Sequence, residues 1–133
     1  MAGRIQVGEK AILTRTIIGE MVVAYADLIG DHNPVHLDET FAATTRFGRR
    51  IAHGMFVAGL ISTVLASELP GPGSVYLGQT LQFKAPVYLG DTITVMVQVT
   101  KVREDKPIVT LATVCTNQDG QVVLEGEAAV LVQ

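Results

Sequence analysis

The sequence predicts an α+β domain in which one antiparallel sheet curls around a single apolar helix. Three observations lead there. Residues 54–68 are apolar at helical spacing on nearly the whole circumference. The C-terminal half instead alternates with period two, the pattern of half-buried strands. The order along the chain is a strand, then helices, then four strands, which suits a layered α+β architecture.

Each element has its own signal. Residues 7–16 read as the opening strand. Across residues 20–29, Met21, Val22, Tyr25, Leu28 and Ile29 recur at helical spacing, and Gly30 ends the run. The stretch GDHNPVHLD follows, in which the Asn33-Pro34 step forbids a continuous helix. Asp38 suits the N-cap of a short helix ending near Phe47-Gly48. In the run 54–68, Met55, Phe56, Val57, Leu60, Ile61, Val64 and Leu65 predict a helix buried all round, stopped by Pro70-Gly71-Pro72-Gly73. Strands are expected at 75–83, with a bulge at Gly78, at 92–99, at 108–116 and at 121–132. Asp119-Gly120 marks the last hairpin. No repeat or linker interrupts the chain, so residues 1–133 are expected to form one domain.

Composition bounds the function. Hydrophobic residues make up 48% of the 133 and charged residues 17%, against about a quarter charged in an ordinary soluble domain. That balance excludes a disordered chain and predicts that some surface is hidden, at a self-association interface or around an apolar ligand. A net charge of −3 argues against a general nucleic-acid binder. Cys115, the single cysteine, cannot form an internal disulfide and reads as packing; there is no Cys-x-x-Cys pair for zinc. The opening MAGRIQVGEK lacks the apolar core of a signal peptide, and the uncharged run 54–67 is short for a membrane span. The expected compartment is the cytoplasm.

The densest polar cluster is Asp31, His32, Asn33, His36 and Asp38. A carboxylate and an imidazole five residues apart, with an Asn-Pro turn between them, can converge on one water molecule and move its proton. Taken alone, such a pair more often caps a turn and holds a structural hydrogen bond. His32 and His36 are four apart, but Pro34 argues against the helix that would align them on a metal. At the start of the apolar helix, Gly54 lets a carbonyl approach the backbone, where unpaired N–H groups stabilise an oxyanion. The alternative is that this glycine only permits a tight turn or close packing. His53 is either a third functional imidazole or a structural residue at the helix start. Arg46, Arg49 and Arg50 offer phosphate contacts or merely a solvated basic turn.

The segment DHNPVHLD, followed by RRIAHGM and the apolar helix, closely resembles the MaoC-like hydratases, specifically the (R)-specific enoyl-CoA hydratases. FAATTRFGRRIAHGM, YLGQTLQFKAPVYLGD and VREDKPIVTL extend the resemblance across nearly the whole chain. It implies a hot-dog fold, an antiparallel sheet wrapped around a long central helix. It also implies a homodimer with acyl tunnels near the interface. The implied reaction is reversible syn hydration of a trans-2-enoyl-CoA to an (R)-3-hydroxyacyl-CoA. Asp31 and His36 would activate the water, and one of them would deliver the proton to C2. Gly54 would donate its N–H to the thioester oxygen, and Asn33 and Pro34 would shape the loop. Ser62, Leu65 and Val130 are candidates for the acyl pocket, with plain core packing as their alternative. Lys84, Arg46, Arg49 or Arg50 would meet the coenzyme A phosphates. No metal or cofactor is implied, because coenzyme A is part of the substrate. Within this family the partner is acyl-CoA or acyl carrier protein, and the pathway is polyhydroxyalkanoate synthesis or fatty-acid metabolism. A thioesterase ranks lower, since those enzymes generally carry their acid on or near the central helix, and here none appears before Glu68. A non-catalytic acyl-CoA-binding module would not need the Asp–His pair.

Overall fold

The computed structural model describes residues 4–133. Its elements run β1 (Lys10–Thr16), α1 (Gly19–Ile29), α2 (Pro34–Leu37), α3 (Glu39–Ala43), α4 (Gly54–Ser67), β2 (Val75–Gln79), β3 (Gln82–Phe83), β4 (Thr92–Val102), β5 (Ile108–Thr116) and β6 (Val122–Leu131). The strands form one antiparallel sheet in the order β1-β4-β5-β6-β2, with β3 paired to β6. Helix α4 packs on β4 and β1, giving the expected hot-dog arrangement.

The period-two pattern sets the core. In β4, Ile93, Val95, Val97 and Val99 are at most 1% exposed while their neighbours face outward. In β5 the inward set is Val109, Leu111, Thr113 and Cys115. Thr113 is fully buried, and its hydroxyl is satisfied by Gln79 Nε2 at 3.0 Å. In β6 both Val123 and Leu124 are buried, which strict alternation forbids. A register shift between Cys115 and Thr116 supplies the extra residue that turns both inward.

Several expectations need correction. The single strand expected at 75–83 is two. Its register shifts at Gly78, as foreseen, and pairing then breaks before β3. There the Thr80 N–H donates to Glu127 O at 2.9 Å, and Glu127 N–H donates to Thr80 Oγ1 at 2.9 Å. The opening strand begins at Lys10 rather than residue 7, after a turn through Gly8 at φ 98°. Helix α3 stops at Ala43, short of Phe47-Gly48. The hydroxyls of Thr44 and Thr45 donate to the carbonyls of Phe41 and Ala42, each at 2.7 Å, and so compete with further helical bonds.

The helices are also less buried than their sequences predict. In α1 only Val22 and Ala26 are fully buried, one turn apart, and Leu28 is 83% exposed. In α4 the side carrying Val57, Ala58, Ile61, Val64 and Leu65 faces the sheet. The opposite stripe of Met55, Gly59, Ser62 and Ala66 is exposed. A single sheet covers one side of a helix, so an all-apolar circumference leaves a second side to be covered by something else.

Candidate functional site

Pro34 does not merely interrupt a helix; it begins one. It occupies the first position of α2, where its missing N–H is not needed, and Asn33 caps the helix by accepting from Val35 N–H at 3.2 Å. Asp31 precedes this cap and accepts the Asn33 N–H on Oδ1 at 3.3 Å. His36 lies within α2 and is 8% exposed. Asp38 ends α2 and caps α3 as expected, accepting from Phe41 N–H at 3.0 Å.

Three side chains converge. Asp31, His36 and His53 each bring an oxygen or ring nitrogen within 4.8 Å of the other two. His36 Nδ1 lies 2.7 Å from Ile51 O. A carbonyl only accepts, so Nδ1 carries the hydrogen and the uncharged ring has its lone pair on Nε2. Arg50 Nε donates to the His36 carbonyl at 2.7 Å, fixing the backbone beneath it. Burial holds the His36 pKa below the ordinary 6.5, reinforced by His53. The Ile51 hydrogen bond and Asp31 pull the other way. An uncharged imidazole with an open lone pair beside a carboxylate is the equipment for holding and deprotonating a water.

His32 is not part of this group. It points back along α1, with Nε2 2.9 Å from Asp27 Oδ1 on an exposed face. The member that spacing alone left open is His53, 22 positions from Asp31 and 2% exposed. The adjoining Gly54 was a visible signal for it, but only the tertiary fold, which stacks its ring on His36, brings it to the pair. Together Asp31, His36 and His53 are also the donor set that could hold a cation.

A cleft of about 530 Å³ opens beside His36, with Gly54, Met55, Phe83 and Lys84 on its walls. Gly54 is the first residue of α4, and helical bonding begins only with Phe56 N–H to His53 O at 3.1 Å. The N–H groups of residues 54 and 55 therefore stand at the positive end of the helix. The space over Gly54 is not empty, however, because the Phe83 ring lies against it. A second groove of about 430 Å³ continues from Met55 past Gly59 and Ser62 to Tyr76 and Leu77. Ser62 thus lines a groove, while Leu65 and Val130, at 3% and 1% exposure, are packed into the core cluster. Among the basic candidates, Lys84 lines the cleft and reaches Glu125 at 3.5 Å. Arg49 lies over the Tyr88 ring at 3.9 Å, Arg50 is used beneath His36, and Arg46 is exposed.

Residues 3–119 match the MaoC like domain model. The (R)-specific enoyl-CoA hydratase of Aeromonas caviae is 51% identical over 129 residues, covering 97% of this chain and 96% of that one. The 3-hydroxybutyryl-CoA dehydratase of Methylorubrum extorquens is 50% identical over 96% of this chain and 81% of its own. A solved structure described as the (R)-hydratase from A. caviae involved in PHA biosynthesis superposes with a TM-score of 0.96 at 50% identity. That superposition covers 99% of this chain and all of the other.

Proposed function

The chain belongs to the MaoC-like dehydratase family, and on that premise we propose that it is an (R)-specific enoyl-CoA hydratase. It adds water reversibly and syn to a trans-2-enoyl-CoA, giving an (R)-3-hydroxyacyl-CoA. The observation that carries this reading is the convergence of Asp31 on His36, which lines an apolar cleft together with Gly54.

In the proposed reaction Asp31 and the His36 Nε2 hold one water. Its oxygen bonds to C3 as the C2–C3 π pair moves toward the thioester, giving an enolate. The Gly54 N–H and the dipole of α4 stabilise the charge that develops on the thioester oxygen. The pair takes the water's proton and returns it to C2 on the same face, which makes the addition syn. Asn33 and Pro34 aim the pair by starting α2 directly after Asp31. The thioester itself activates C3, so the scheme uses no cofactor and no metal. Lys84, which lines the cleft, is our choice among the basic residues for a contact with a coenzyme A phosphate. The acyl chain follows the groove past Met55 to Ser62.

The open edge strand β2 exposes Val75, Tyr76 and Leu77, and the outer stripe of α4 lies beside it. We assign this face to a homodimer contact that converts the groove into a tunnel; a monomer in sedimentation at micromolar concentration overturns that assignment. No helix among the described residues is long and apolar enough to cross a membrane, and we place the enzyme in the cytoplasm.

The test is loss of the conjugated-thioester absorbance of trans-2-butenoyl-CoA. Asp31→Ala and His36→Ala should each lower the rate by about 100-fold or more. Intact rates in both variants sink the assignment. Release of free coenzyme A points instead to a thioesterase. Faster turnover of the acyl-carrier-protein thioester points to a 3-hydroxyacyl carrier-protein dehydratase. Tight thioester binding without turnover points to a non-catalytic module.

A further inference from the structure

His53 is the residue before α4, yet its side chain makes no helix-capping hydrogen bond. The ring is 2% exposed, and Nδ1 is buried with no hydrogen-bond partner among the described residues. An unsatisfied buried ring nitrogen is destabilising, whereas an apolar side chain of similar size would fill the same space without that cost. What the imidazole does make is two directed contacts. Its Nε2–H donates to the main-chain carbonyl of Asp31 at 3.0 Å. Its face stacks on the His36 ring, centroids 3.9 Å apart and planes inclined by 30°. Tyr25 holds its other side, edge-on at 4.9 Å.

Asp31 and His36 stand on different pieces of backbone, one ahead of α2 and the other within it. His36 has anchors of its own in Ile51 and Arg50, but these do not reach Asp31. His53 touches both members of the pair. We propose that His53 is a positioning residue of the hydratase, a single buried ring that fixes the spacing between Asp31 and His36 by a hydrogen bond to one and a stack on the other. The proposal rests on the hydratase reading above. Since the rate depends on where the water is held and not on how tightly the thioester binds, loss of this ring should act on kcat rather than KM.

The experiment compares His53→Phe, which keeps a ring for the stack and removes the donor, with His53→Gln, whose Nε2 can still reach the Asp31 carbonyl. The wild-type enzyme and Asp31→Ala frame the scale, with trans-2-butenoyl-CoA as substrate. The Phe variant should lose about 10- to 100-fold in kcat with KM changed by less than about threefold. The Gln variant should recover kcat to within about fivefold of wild type. If His53→Phe does not fold, His53→Asn takes its place, because its amide is one methylene too short for the bond. Wild-type kcat in the Phe or Asn variant overturns the proposal, as does an equal loss in the Gln variant. In either case the wild-type rate and the Asp31→Ala loss stand, leaving the hydratase reading intact. A wild-type enzyme without turnover removes both.

Discussion

The Phe83 ring packs so closely on Gly54 that a Cβ added at Gly54 would sit 2.6 Å from Phe83 Cε1 and 2.9 Å from Cδ1. The glycine at the start of α4 is therefore favoured by an aromatic neighbour that forms one wall of the cleft, and in the proposed reaction also by the thioester oxygen that approaches its N–H. Phe83 is 52% exposed, so its ring can swing outward. Gly54→Ala should fold, with a stability loss of about 1–3 kcal/mol and kcat/KM reduced by about tenfold or more. Adding Phe83→Ala should restore the urea midpoint but not the rate. Recovery of the rate in the double variant would show that ring displacement, not crowding at the N–H, is the cause.

His36 sets a pH dependence with a definite sign. Burial, its largest influence, lowers its pKa below 6.5. The uncharged, proton-accepting ring thus persists through neutrality and somewhat below, and the acid limb of kcat/KM should lie under pH 6.5. The same shift acts on stability. Between the lowered folded value and 6.5 the unfolded chain binds more protons, so stability should rise with pH across that window and level off above it. Denaturation of His36→Gln alongside wild type checks this, because the difference between the two curves should flatten above pH 6.5. A difference curve that keeps climbing above pH 6.5 contradicts the assignment.

Gly126 in β6 is a more severe position than Gly54. A Cβ there would fall 1.8 Å from the Thr80 carbonyl oxygen, and Thr80 is held in place by the hydrogen bonds that its N–H and Oγ1 make with the Glu127 backbone. Gly126→Ala should cost more than about 3 kcal/mol or prevent folding. Gly78→Ala, where an added Cβ meets nothing within 4 Å, is the matched control and should stay within about 1 kcal/mol of wild type. Urea midpoints of the two variants decide it; equal midpoints would refute the close approach.

Cys115 lies under the sheet, fully buried, and burial pushes its thiol pKa up to about 12. Only the thiolate reacts quickly, so the folded protein should resist thiol reagents at pH 8 and become reactive as denaturant opens the sheet. Rapid modification of the native protein would show that β5 and β6 separate more readily than their pairing indicates.

The sequence by itself determined the order of an opening strand, helices and then strands, the alternation that turns Ile93, Val95, Val97 and Val99 inward, the cap at Asp38 and the bulge at Gly78; the joint role of Asp31 and His36 rested on the family resemblance. The features read from the residues depend on local chemistry: side-chain period, a capping oxygen or a missing Cβ. Burial was misjudged where it depends on what lies across the molecule. The apolar circumference of α4 and the run in α1 carry no sign of which side the sheet covers. Leu28 and Met55 therefore look like core residues in sequence and are exposed in the fold. The tertiary structure alone decided that Phe83 closes over Gly54, that Thr80 crosses Gly126, and that His53 meets a pair more than a dozen residues away. Such contacts join segments whose separation along the chain leaves no periodic trace, and they arise only when α4 docks against the sheet and α2 settles beside its first turn.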